Sequence, residues 1–348
     1  METAFDALLV LTQRYAFTEV AALLSGGAAG ERLSTRDVAQ LQQLCALGQR
    51  LLDLDAEDFG ELDAAADANV EHAIATEVHG DAVPEYLRER ALLCRVPQSS
   101  RERERGALGS LRPVYRLLLE VIDARFRRRE TNAVVSSMHI ASEYAPLLVW
   151  ERVLGHAADP ARVGSAVGGD GSAWGNFEDR ECPHTKTEKS AAKRILTVSQ
   201  ENDAGWRTYL ARQHSNVSHA FGVCASACKR QCTVYTRLSP ADAEIATHGC
   251  RLALTLNDSA IMRLRHSAPV GHGFGVPSIP QLLETWDRTR TSLGRIEPSI
   301  MDDDGFPLPG FATLVSVLAS EPLTQDTLLA DTAGEITTLL QAYGKVPE

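Results

Sequence analysis

No stretch of this chain comes near the ~20 consecutive apolar residues that a bilayer-crossing helix requires. Apolar runs such as Ala145 to Trp150 are a fraction of that length. The opening residues, Met1-Glu2-Thr3-Ala4-Phe5-Asp6, lack the basic start and the unbroken apolar core of a secretory signal. The expectation is a cytoplasmic protein with no membrane partner. Best-known chemical signatures are missing as well. The sequence holds no GxxxxGK[ST], no GxGxxG behind a strand, no GxSxG and no HExxH, which removes the common nucleotide, serine-hydrolase and zincin readings at motif level. No internal repeat is present. Positive charge is in deficit, with 35 Lys plus Arg against 46 Asp plus Glu and a net charge of -11, which opposes indiscriminate attraction to phosphate backbones.

What is present is ordinary globular material: 348 residues, 44% hydrophobic and 23% charged, enough for about two domains at roughly 150 residues each. Val38, Leu41, Leu44, Cys45, Leu51 and Leu52 share one face at 3.6-residue spacing, and Ser34 with Asp37 forms a capping-box start, so a helix is expected over about 35–52. Val114, Leu117, Leu118, Val121 and Ile122 repeat the pattern behind Pro113, with Arg125 to Arg129 near the helix end. Further starts are Ser239-Pro240 and Ser278-Ile279-Pro280-Gln281, the latter stopping at Gly294, and one or two helices are expected from Phe311 to Tyr343. Arg251 to Leu256 fits a short strand or a helix equally, because six residues cannot separate the two periods. The expected fold class is mainly α: a helical N-terminal half with a smaller Cys/His-rich, mostly helical C-terminal domain. The expected divisions are a helical domain over 1–163, a Gly-rich linker or loop over 164–176, a Cys/His-rich domain over 177–300, and an acidic connector with C-terminal helices over 301–348.

The seven cysteines, an odd number in a chain of this length, suit reduced thiols or metal ligands better than a disulfide framework. Cys182, Cys224, Cys228 and Cys232 fall within one region, with His184, His214 and His219 beside them. Four sulfur or nitrogen donors are the usual set for zinc or an iron-sulfur cluster, so these four cysteines are the candidate metal ligands, with a histidine as a possible replacement for one. In a continuous helix Cys224 and Cys232 would stand about 12 Å apart at 1.5 Å per residue, too far for one ion, so a helix break or a multi-atom cluster is required. Lys229 and Arg230 next to the thiols slightly favour an anionic iron-sulfur cluster over zinc. Cys45 and Cys94 read as core residues and Cys250 stays open.

A second candidate is the Gly- and Pro-rich segment from Arg263 to Pro277, read as a loop. Arg263 and Arg265 are its candidate contacts to a carboxylate or phosphate substrate, and His266 and His272 its candidate general acid and base. A purely structural connection is the competing reading. His139 and Glu143, four apart on a helix with Glu130 and Glu151 nearby, together with Glu71, His72, Glu77 and His79, raise a di-iron carboxylate bundle, although the paired Glu-x-x-His motifs are absent. Residues 177–238 carry ten Lys plus Arg against six Asp plus Glu, with Trp206 and Tyr209 interleaved, so nucleic acid or an acidic protein is an alternative partner to a small molecule. The leading expectation is a metalloprotein holding an iron-sulfur cluster or zinc and acting on a small anionic substrate. Alternatives are a non-enzymatic interaction or nucleic-acid-binding protein with structural zinc, and third, the di-iron bundle.

Overall fold

The computed structural model describes residues 2–27, 33–55, 83–95, 110–155, 238–267 and 275–344. Among these residues the protein is mainly α and has no strand, and no helix is long and apolar enough to cross a membrane. It divides into two compact units, one of residues 1–95 with 325–348 and one of residues 96–324.

The first unit contains α1 (Glu2–Gln13), α2 (Phe17–Ser25), α3 (Thr35–Asp53), α4 (Glu85–Cys94) and the late helix α11 (Leu328–Gly344). The capping box at the head of α3 forms as its sequence requires: the Ser34 hydroxyl accepts from the Asp37 N–H at 3.2 Å, and the Asp37 carboxylate accepts from the Ser34 N–H at 3.1 Å. That hydroxyl also donates to Asp37, and its hydrogen bond is the leading cause that holds the Asp37 carboxyl below its ordinary value. Leu41, Leu44, Leu51 and Leu52 are buried as the 3.6 periodicity demands. Helix α11 packs on α3, α1 and α4, delivering Leu328, Leu329, Ile336 and Leu340 to the core. Arg90 of α4 fixes its end by donating to Asp326 at 2.5 Å and to Asp331 at 2.6 Å. Cys45 and Cys94 are core residues, each 1% exposed, and burial pushes the Cys45 thiol up to about 12.

The second unit is organised around α6 (Thr131–Leu154). Val134, Met138, Ala141, Ala145, Leu148, Val149 and Trp150 are all buried, so apolar residues on more than one side of the helix are covered by its neighbours. Helix α5 (Leu111–Arg127) returns against it, with Pro113 in the first turn. At one end of this pair Glu151 accepts from the Ser110 hydroxyl and from the Leu111 N–H at 2.7 Å, so α6 supplies the cap of α5. At the other end Glu130 takes Arg125 at 2.9 Å and Arg128 at 2.6 Å. Helices α7 (Pro240–Asn257), α8 (Ala260–Ser267) and α10 (Phe311–Ala319) also pack on α6, while α9 (Ile279–Gly294) packs on α7 and α8. The Ser239 cap, the Ser278–Gln281 capping box and the stop at Gly294 all form. Arg251 to Leu256 is helical, because the 3.6 pattern begins before the six ambiguous residues, at buried Ala246, Gly249 and Cys250, and continues through Ala253 and Leu256.

Between α9 and α10, Arg290 donates to the carbonyls of Ile300, Met301 and Asp302. Gly310 caps α10 at φ 79°, the left-handed region, where a Cβ would also meet the Ile300 carbonyl. It brings no side chain to the cap. Asp304 supplies one instead, accepting from the N–H groups of Gly310 at 2.9 Å and Thr313 at 3.0 Å. The expected linker over 164–176 lies outside the described residues.

Candidate anion-binding groove

Three helices of the second unit meet at an open groove of about 660 Å³. Helix α7 contributes Arg251, Leu254 and Thr255, and its C-cap Asp258 continues the i, i+3, i+4, i+7 spacing that places them on one face. Helix α8 contributes Ala260 and Arg263, three apart, and α9 contributes Arg288 and Ser292, four apart. Ser259, between α7 and α8, completes the lining. The walls thus carry three guanidinium groups against the single carboxylate of Asp258. Like charges gathered at one place favour occupation by an anion, and guanidinium forks match carboxylate and phosphate oxygens.

Ser259 is the N-cap of α8, its carbonyl accepting from the Arg263 N–H at 3.2 Å. An N-cap serine ordinarily turns its hydroxyl onto the second or third N–H of the helix. Here Thr289 of α9 takes the Ile261 N–H at 3.1 Å. The Ser259 hydroxyl oxygen is left buried without a hydrogen-bond partner among the described residues, in a residue only 7% exposed. A buried hydroxyl without a partner costs about 1–3 kcal/mol; Ser259 itself lines the groove at the N-terminus of α8, where partial positive charge gathers. Arg263 is anchored by donating to the Asp258 carbonyl at 2.9 Å. Arg288 donates to Glu284 at 3.0 Å, an ion pair with side chains 63% and 70% exposed, weak enough to yield to a better partner.

The expected substrate contacts Arg263 and Arg265 are separated by the structure. Residues 263–267 belong to α8 rather than to a loop, and two positions along a helix point to different faces. Arg263 lines the groove. Arg265 instead donates through Nη1 to His139 Nε2 of α6 at 2.6 Å, and Glu143 Oε1 lies 3.2 Å from the same nitrogen. That nitrogen therefore faces both a group that only donates, the Arg265 guanidinium, and one that accepts, the Glu143 carboxylate. The His139 Nδ1 is buried and has no partner among the described residues.

His266 falls in the last turn of α8, but its side chain lies outside the described residues, as do His272, Cys182, Cys224, Cys228, Cys232, His184, His214, His219, Glu71, His72, Glu77 and His79. Among the described residues no group of three or more His, Cys, Asp or Glu side chains is placed to hold a metal ion. Glu130 is engaged by Arg125 and Arg128, and Glu151 caps α5, so neither joins His139 and Glu143. Of the residues that line the groove, sequence reading singled out Arg263 and not Arg251, Ser259 or Arg288. The signal was present for Arg251, since Arg251, Thr255 and Asp258 form a polar stripe opposite the buried face of α7. Comparison with known protein families, with curated proteins and with solved structures gave no match.

Proposed function

We propose that this protein binds a small anionic ligand, a phosphate or carboxylate, in the groove between α7, α8 and α9. The observation that carries the reading is the gathering of Arg251, Arg263 and Arg288 in the lining of one groove against the single carboxylate of Asp258. An anion there would accept from these guanidinium groups. Calorimetric titration of the full chain with inorganic phosphate tests it. Saturable binding is expected, weakened about tenfold or more by Arg251→Ala or Arg288→Ala, the equivalent of one lost charge-assisted hydrogen bond. No binding at millimolar phosphate, or binding indifferent to both variants, refutes it.

A metal centre at Cys182, Cys224, Cys228 and Cys232 is a second proposal, favoured by four thiols within 51 residues and by the Cys-x3-Cys-x3-Cys run. Iron, zinc and acid-labile sulfide would be measured per chain in protein purified without oxygen. Iron matched by sulfide supports the cluster, stoichiometric zinc without iron supports a structural site, and an absence of both metals removes the proposal.

A further inference from the structure

One turn before Arg251 on α7 stands His248, three residues away and so on the same face, at about 5–6 Å between Cβ atoms. Beyond Ser292 the chain leaves α9 and reaches Glu297. These two meet, His248 Nε2 lying 3.1 Å from Glu297 Oε2, in a half-exposed pair open to protons from solvent. A carboxylate only accepts, so this Nε2 carries a hydrogen and donates. The other oxygen of Glu297 is engaged separately, accepting from the Ser299 hydroxyl at 2.7 Å and the Ser299 N–H at 3.2 Å. The hydroxyl is the leading cause that holds the Glu297 carboxyl below its ordinary range. Glu297 therefore stays negative while histidine changes charge, between about pH 5 and 8. The other charges around His248 are fixed over that interval: Glu244 and Arg251 on its own helix, Arg295 after α9, and Arg152 of α6, three residues past the Val149 that meets Gly249. Of the remaining titratable residues of α6, His139 and Glu143 meet Arg265, Glu151 caps α5 and Tyr144 acts on Tyr115. Helix α10 carries no titratable side chain.

We infer that His248 makes anion binding in the groove pH-dependent, strengthening it when protonated and weakening it when neutral. The inference rests on the anion reading above and adds its regulation. A protonated His248 balances Glu297, so the field at Arg251 is that of the guanidinium groups. A neutral His248 leaves the Glu297 carboxylate uncompensated one turn from Arg251, and that charge repels the ligand. By linkage the effect is reciprocal, so a bound anion favours the protonated imidazole and binding takes up protons.

Sulfate is the probe, because its charge is constant where phosphate changes its own. It is titrated calorimetrically into the full chain at about pH 5.5 and about pH 8, the two sides of histidine titration, and between them in two buffers of different ionisation enthalpy. A unit charge about 10 Å from a dianion changes its binding about threefold at an ionic strength of about 0.01 M, so sulfate is expected to bind about threefold more tightly at the acid pH, with net proton uptake. His248→Gln keeps a donor for Glu297 but does not titrate, and is expected to remove most of the pH dependence and of the uptake. Glu297→Gln, which removes the opposing charge, is expected to tighten binding at the higher pH, whereas a purely structural pair would make the same variant bind more weakly. A pH dependence that His248→Gln leaves unchanged, or weaker binding by Glu297→Gln at the higher pH, overturns the inference and leaves the anion site intact. Sulfate binding at neither pH overturns the anion reading itself.

Discussion

Replacing Gly249 by alanine is the sharpest test of how the scaffold of the groove is held. Gly249 lies in the middle of α7, where it faces α6, and a Cβ there would stand 2.7 Å from Val149 Cγ2 and 2.9 Å from Cγ1. In an exposed helix the change to alanine stabilises by about 1 kcal/mol, since glycine loses more backbone freedom on folding. Here the added methyl meets both branches of a fully buried valine, whose χ1 is stiff in a helix and cannot turn both methyls aside. The helices must separate, at a typical overpacking cost of about 1–3 kcal/mol. The balance is a destabilisation of up to about 2 kcal/mol. Gly334→Ala is the internal control, because this exposed glycine of α11 has nothing within 4 Å of the Cβ position, and stabilisation by about 0.5–1 kcal/mol is expected. All four tryptophans fall within residues 96–324, so their fluorescence during urea unfolding follows the unit that holds Gly249, and circular dichroism follows the whole chain. Val149→Ala combined with Gly249→Ala should recover stability relative to additivity, with a coupling of about 1 kcal/mol or more. A higher urea midpoint for Gly249→Ala alone would falsify the claim that α6 and α7 touch closely enough to require glycine.

Asp304→Ala removes the cap of α10 and is expected to cost about 1–2 kcal/mol in urea unfolding; a midpoint matching the wild type sinks the capping assignment. Arg90→Ala frees Asp326 and Asp331, whose pairs with Arg90 are half-exposed. The expected loss is about 1 kcal/mol, shrinking as salt is raised, and a salt-independent loss would contradict the ionic account. The pH dependence of stability should carry two opposite contributions. The Ser34 hydroxyl lowers the Asp37 carboxyl and the Ser299 hydroxyl lowers Glu297, so their stabilisation is present above the ordinary values of 3.8 and 4.5 and is lost as pH falls through the lower folded values. Burial raises Glu151 above 4.5 despite its bonds to Ser110 and Leu111, so its penalty appears as pH rises from 4.5 through the higher folded value. Comparing Asp37→Asn and Glu151→Gln with the wild type across acid pH should show stability differences that change in opposite directions.

Helix starts were legible in the sequence because they are local: Ser34 with Asp37, Ser239 with Pro240, and Ser278 with Gln281 carry their own partners within three residues. The class of fold was legible for the same reason, through 3.6-residue periodicity. Distant pairings were not. Nothing in residues 328–344 states that they pack on α3, since any amphipathic helix of that length offers a similar face. The groove was half legible. Arg263 stood out beside glycines and histidines, but reading the segment as a loop joined it to Arg265, which helical geometry turns toward His139. Ser259 was invisible because its hydroxyl becomes remarkable only when Thr289, thirty residues later, occupies the N–H it would otherwise bind.

Helix α11 completes a unit whose other helices lie before residue 96, and this sets an order for the nascent chain. About 290 residues separate the end of α3 from the end of α11, which at roughly 5–20 residues per second amounts to roughly 15–60 s of synthesis. For most of that interval α3 lacks the helix α11 that packs on it, so part of its apolar face is open to chaperones. The unit made second can therefore close first, and α1 to α3 wait for a helix made after it.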